Sequence, residues 1–111
     1  MKIQHIRRDK KLVGTIVAVK NEAKGVVQVG FSMPMKGENA SKKKGVEFAM
    51  ARALNSPSTL VPKKIEPEFR EFVNHISSRK EFDGFHTPLP DDFIYTYNST
   101  GFNVEDLVKL H

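Results

Sequence analysis

Residues 12–32 read LVGTIVAVKNEAKGVVQVGFS, and their pattern decides the fold. Residues 12–20 are rich in β-branched side chains and apolar on both alternating faces, as a strand covered on both sides requires. Residues 21–25 (NEAKG) supply turn chemistry, with Gly25 able to take positive φ. In residues 26–32, Val27, Val29 and Phe31 alternate with Gln28, Gly30 and Ser32. The two runs predict a β-hairpin. Upstream, residues 1–8 offer a third strand, with Ile3 and His5 facing opposite to Gln4 and Ile6. The charged flanks Arg7, Arg8, Lys10 and Lys11 suit a protected sheet edge.

Downstream of the hairpin a Gly/Pro/Asn loop leads to Ser41, whose hydroxyl can cap a helix running to about Asn55. Val46, Ala49, Met50, Ala53 and Leu54 fall at i, i+3, i+4, i+7 and i+8 and predict its core stripe. Residues 56–67 (SPSTLVPKKIEP) hold three prolines and read as an extended connection, with Pro67 or Glu68 opening a second helix. There Phe69, Phe72, Val73 and Ile76 repeat the amphipathic spacing. Glutamates near its start and Arg79 and Lys80 near its end match the helix dipole. Residues 81–100 are turn-rich, with a short strand expected at 93–97 (FIYTY). Phe102, Asn103, Asp106 and Leu107 compose a capping box with its staple and predict a short last helix. The sum is a single α+β domain over 1–111: a small antiparallel sheet packed against two main helices plus a short C-terminal helix.

At 111 residues the chain has room for one core. Its lack of cysteine removes disulfides, thiolate zinc sites and cysteine nucleophiles together and suits a cytoplasmic protein. The sequence has no apolar run long enough for a signal peptide or a membrane span, so no membrane partner is expected. The net charge of +5 conceals a split. Residues 1–64 carry 14 Lys/Arg against four Asp/Glu, whereas residues 65–111 carry four against nine. Such a basic half attracts anions, or meets the acidic half within the fold or in a symmetry mate.

The likeliest place for an anion by charge is the start of the first helix, where Lys42, Lys43 and Lys44 add full charges to backbone N–H groups that already favour one. Lys44, Phe48 and Arg52 then lie four residues apart on a face away from the core stripe. Phe48 packs under the following loop in the simpler reading. In the functional one it offers a flat surface on which a base stacks beside Arg52.

Catalytic patterns are missing. His5, His75, His86 and His111 have no metal-ligand spacing, and no metal or cofactor is expected. Asp91 and Asp92 are adjacent in an extended segment and point apart, so they make a turn rather than an acid/base dyad. Neither a nucleophile elbow nor a phosphate-binding glycine loop is present. Nucleic-acid binding is suggested by the pI near 9.6, yet one tight lysine cluster is not a groove-length cationic array.

The segment from residue 12 to 53 resembles a family of small bacteriophage proteins. Val29, Gly30, Phe31 and Ser32 end a strand, a polar loop leads to Lys43, Lys44 and Gly45 at a helix start, and Arg52-Ala53 closes the motif. This is similar to the first Thoeris anti-defence sponges, which bind cyclic ADP-ribose signals and deny them to bacterial effectors. Met33, Pro34 and Met35 depart from the Cys/Asn/Pro loop of that pattern. The resemblance implies a homo-oligomer acting in the cytoplasm of an infected bacterial host, with recessed sites at subunit contacts. Arginines there hold phosphates and aromatics stack on a base. Arg52 is the arginine that carries over.

The residues argue for holding a small anionic nucleotide-like ligand without turnover, and the resemblance implies that this serves a phage-type inhibitor of bacterial immunity that sequesters a signalling molecule. Lys43, Lys44 and Arg52, with Lys42 beside them, are the expected phosphate contacts. Phe48 or one of Phe82, Phe85, Tyr95 and Tyr97 is the expected stacking partner. The alternatives are a protein-binding inhibitor, such as an anti-CRISPR, or a basic nucleic-acid-binding accessory protein; an enzyme is the least favoured class.

Overall fold

The computed structural model describes residues 1–34, 41–55, 57 and 59–97. Three antiparallel strands, β1 (Lys2–Arg8), β2 (Lys11–Asn21) and β3 (Val26–Ser32), form a meander with β2 in the centre. Helix α1 (Lys42–Asn55) follows, then the short strand β4 (Leu60–Pro62) and helix α2 (Glu66–Ile76), which a 3-10 turn over Lys63–Ile65 leads into. Strand β5 (Ile94–Thr96) pairs in parallel with β4. The architecture is mixed α+β, with the expected N-terminal antiparallel sheet and two main helices.

Strand alternation sorts the sheet into two faces. Ile16, Ala18, Val27, Val29 and Phe31 join Ile6 on one face, where α2 covers them with Phe69, Phe72, Val73 and Ile76. All four α2 residues of the predicted stripe are buried. Val17 and Val19 occupy the other face and meet Ala49 and Ala53 of α1, with Ile3, Val46 and Met50 around them. Leu54 is half exposed and lies off the predicted stripe. It sits about 100° around the helix from Ala53, and contact with the sheet is carried by the two alanines instead.

Gly30 explains why alanines suffice. It pairs with Val17 beneath α1, and a Cβ there would lie 2.5 Å from the Ala53 backbone nitrogen and within contact of the Ala49 carbonyl oxygen. Helix and sheet backbones therefore approach closely. The third strand expected from a weak pattern is real: β1 pairs with β2 from Lys2↔Ala18 to Arg8↔Lys11, with an irregularity between Ile6 and Arg7. The hairpin between them turns on Asp9 (φ 51°) and Lys10 (φ 66°), both left-handed without being glycine.

Two expectations need correction. Residues 60–62, read as extended connection, pair with 94–96 as a strand. The strand expected at 93–97 is confined to Ile94–Thr96. The C-terminal helix predicted from Phe102, Asn103, Asp106 and Leu107 lies outside the described residues. No helix among the described residues is long and apolar enough to cross a membrane.

Candidate functional site

Helix α1 begins where expected, with the Ser41 hydroxyl accepting a hydrogen bond from the Lys44 backbone N–H at 3.3 Å. Its first turn holds no acidic residue. Lys42, Lys43 and Lys44 are exposed, and among the described residues none of them forms an ion pair. Three cations at the positive end of a helix dipole oppose the helix they start, so they concentrate positive potential rather than stabilise the fold.

Along the outer side of α1 the ring of Phe48 is 55 % exposed. The ring joins neither core cluster, and residues 56 and 58 of the following loop, under which the simpler reading packs it, lie outside the described residues. Lys44 precedes it by one turn and Arg52 follows by one turn, so ring and cations share a face. Arg52 is half-buried, and its Nη1 donates to the Phe31 carbonyl at 3.1 Å, which anchors the guanidinium to the end of β3.

Other expected stacking residues do not join this face. Phe82 is buried in the core on the α2 side of the sheet. Tyr95 packs against that same core, its hydroxyl donating to the Pro90 carbonyl at 2.9 Å and its ring lying 4.4 Å beneath the Arg70 guanidinium. Phe85 packs there too, with the Lys20 ammonium 5.4 Å from its ring. Tyr97 is strongly exposed but engages Lys63, which donates to its hydroxyl at 3.0 Å. The sheet stands between Phe82, Phe85 and Tyr95 and helix α1, and of the expected stacking residues Phe48 is the one carried by α1 itself.

Charged residues of the two halves do meet in the fold. Arg8 grips Glu68 through three hydrogen bonds of 2.6 to 3.2 Å, tying the end of β1 to the start of α2. Glu81 accepts from Arg79 and from the N-terminal ammonium, which together hold its carboxyl below the ordinary range. Arg70 joins Glu66 and Asp91, and those bonds strengthen its hold on its proton. The α1 lysines take no part in this pairing. Asp91 is therefore a structural partner of Arg70, and Asp92 accepts from the Leu89 N–H at 2.8 Å.

Beneath the first turn of α1 lies a polar row that sequence alternation alone does not disclose. His5, Thr15 and Ser32 are aligned across the three strands. The Thr15 hydroxyl lies 3.1 Å from His5 Nδ1, and the Ser32 hydroxyl donates to the Gly45 carbonyl at 2.7 Å. Gly45 sits so close that a Cβ would be 2.6 Å from Thr15 Oγ1. Burial, then Lys42 and Arg7, push the His5 imidazole below its ordinary value. The signal available in sequence was the alternation of β1, which put His5 on the face of Ile3. Its neighbours Thr15 and Lys42 follow only from strand register and helix placement.

An open groove of about 160 Å³ runs between β1 and α2, with Lys2, Gln4, Glu71 and His75 on its walls and Phe72 and Ile76 at its base. None of the expected site residues lines it. Among the described residues no three His, Asp or Glu side chains gather as a metal ion would require. Comparison of the chain with protein-family models, with curated proteins and with solved structures finds no match.

Proposed function

We propose that this protein binds a small anionic, nucleotide-like molecule against the outer face of α1 and holds it without turnover, as an inhibitor of bacterial immunity that sequesters a signalling nucleotide. The observation that carries the reading is Phe48, an exposed aromatic set between Lys44 and Arg52 on a helix that starts with three exposed lysines, none of them in an ion pair among the described residues. A purine ring stacking on Phe48 gains dispersion and excludes water from one side of the phosphate contacts. Charge-assisted bonds from Lys43 and Lys44 to phosphate oxygens are stronger than neutral ones. The resemblance of residues 12–53 to the phage sponge family supports the same class of ligand and a site in the host cytoplasm.

A single exposed helix face cannot enclose a ligand, and tight small-molecule sites bury roughly 70–90 % of the ligand surface. The reading therefore includes a second copy of the chain that closes over α1. A nucleic acid or a protein target is the second reading, favoured by the same exposed lysines together with the half-exposed Leu54.

A thermal-shift screen of the purified protein against cyclic dinucleotides, cyclic ADP-ribose and ADP-ribose tests the proposal, since a ligand bound only by the folded state raises the melting temperature by mass action. A saturable rise that Phe48→Ala removes is the expected result. Flat curves for every ligand, with steeply salt-dependent binding to an oligonucleotide, would replace it with the nucleic-acid reading.

A further inference from the structure

Strand β1 lies at the edge of its sheet and pairs with β2 on one side only. Among the described residues no backbone hydrogen bond reaches its outer side. Such an edge presents unpaired N–H and C=O groups to any strand that can align with it. The usual protections are gathered at one end, where Arg7 and Arg8 follow each other, Arg8 is held by Glu68, and the register shifts between Ile6 and Arg7. Residues 2–6 are left regular and open, and Lys2 is the only lysine, arginine or carboxylate among them.

Helix α2 sets what this edge fits. It runs beside β1 in the opposite direction: Arg8 meets Glu68 at its start, while Lys2 and Gln4 share the groove with Glu71, His75 and, beyond its end, Arg79. We propose that residues 2–6 are a self-association edge, on which β1 of a second copy pairs antiparallel to join the two sheets into one of six strands. A two-fold axis at Gln4, normal to the sheet, places Gln4 opposite its own copy, Lys2 opposite Ile6 and Ile3 opposite His5. No two charged side chains are then opposed across the strands. The same operation turns the Glu71 carboxylate towards Lys2 and Arg79 of the second copy, so the flanks of the two grooves are complementary in charge.

This dimer supplies the second copy that the ligand reading requires and stands without that reading. A two-fold axis normal to the sheet keeps both α1 helices on one side of it. Each packs over β2 and β3, so about four strand spacings, roughly 19 Å, separate their axes. A helix is about 10 Å wide, which leaves a cleft of about 9 Å with Ile3 and His5 of both copies along its floor.

The chain has no cysteine, so a single engineered one reports only on its own surroundings. Directly opposed residues of an antiparallel pair lie within reach of a disulfide. Under mild oxidation Gln4→Cys is expected to form a linked dimer far faster than Ala23→Cys, which is exposed in the β2–β3 turn. Gln4 on the axis meets itself, so Gln4→Lys and Gln4→Glu each oppose like charges and are expected to raise the dimer dissociation constant roughly tenfold or more in sedimentation equilibrium. An equal mixture of the two is expected to restore the dimer, a pattern that a contact away from the axis does not give. Circular dichroism checks that both variants fold, and should one fail, the cysteine comparison still decides. A wild type that stays monomeric at every concentration, equal linking rates for the two cysteine variants, or a dimer indifferent to both charges would overturn the proposal. No nucleotide enters these measurements, so their failure and that of the ligand screen are read separately.

Discussion

Gly30 of β3 lies directly beneath Ala49 of α1, so close that a methyl group on the glycine would overlap the alanine carbonyl oxygen. The obstructing atoms are backbone, which cannot rotate aside. Ala49 and Ala53 are both fully buried against this strand, and the contact fixes how near α1 sits to the sheet.

Gly30→Ala is therefore expected to lower stability by at least about 2 kcal/mol, because helix and sheet must part and reopen the interface. Urea unfolding followed by circular dichroism measures it. A wild-type midpoint in the variant would show that α1 is not seated as described.

The β1–β2 turn offers the opposite kind of change. Asp9 and Lys10 both have positive φ, which costs an ordinary side chain more than it costs aspartate. Lys10→Gly should raise stability by about 0.5–1 kcal/mol even after the extra freedom it gives the unfolded chain, and Lys10→Val should lower it. Melting temperatures of the two variants should fall on opposite sides of the wild type.

His5 makes stability depend on pH. Burial and the neighbouring cations hold it below its ordinary value of 6.5, so the unfolded chain takes up this proton more readily than the folded one. Stability from this group is intact above the ordinary value and declines as pH falls below it. In the absence of phosphate, melting curves from about pH 7.5 to about pH 5 should fall more steeply for the wild type than for His5→Gln. Parallel curves would remove His5 from the account.

Phe48 separates binding from folding. Its exposed ring contributes little to the core, so Phe48→Ala should change stability by no more than about 0.5 kcal/mol. Phe69→Ala removes a buried ring that meets Phe31 and Phe93 edge-on and should cost about 3–5 kcal/mol. A large loss of stability at Phe48 would return the residue to the core and take the stacking surface with it.

Much of this fold was legible because its elements carry their own local signals. Ser41 and the spacing of Val46, Ala49 and Ala53 specify α1, and Phe69, Phe72, Val73 and Ile76 specify the buried side of α2. The β4–β5 pair was not legible, because three residues ending in Pro62 carry no period and their partner lies more than thirty positions away. The Asp9-Lys10 turn lacks the glycine that marks such hairpins. At the site, the lysines and Phe48 could be grouped by helical spacing alone. Assigning Phe82 and Tyr95 required knowing which side of the sheet each segment covers, and grouping His5 with Thr15 and Lys42 required strand register.

The central claim is that a nucleotide-like anion is held on α1 and left chemically intact. Equilibrium dialysis of excess protein against cyclic ADP-ribose and cyclic dinucleotides, followed by heat denaturation and mass spectrometry of the released small molecules, tests it most directly. The account predicts that at least one of these is drawn to the protein side and recovered unaltered, and that Phe48→Ala combined with Lys44→Glu abolishes the retention. Equal concentrations on both sides for every nucleotide, or recovery of a cleaved product, would contradict it.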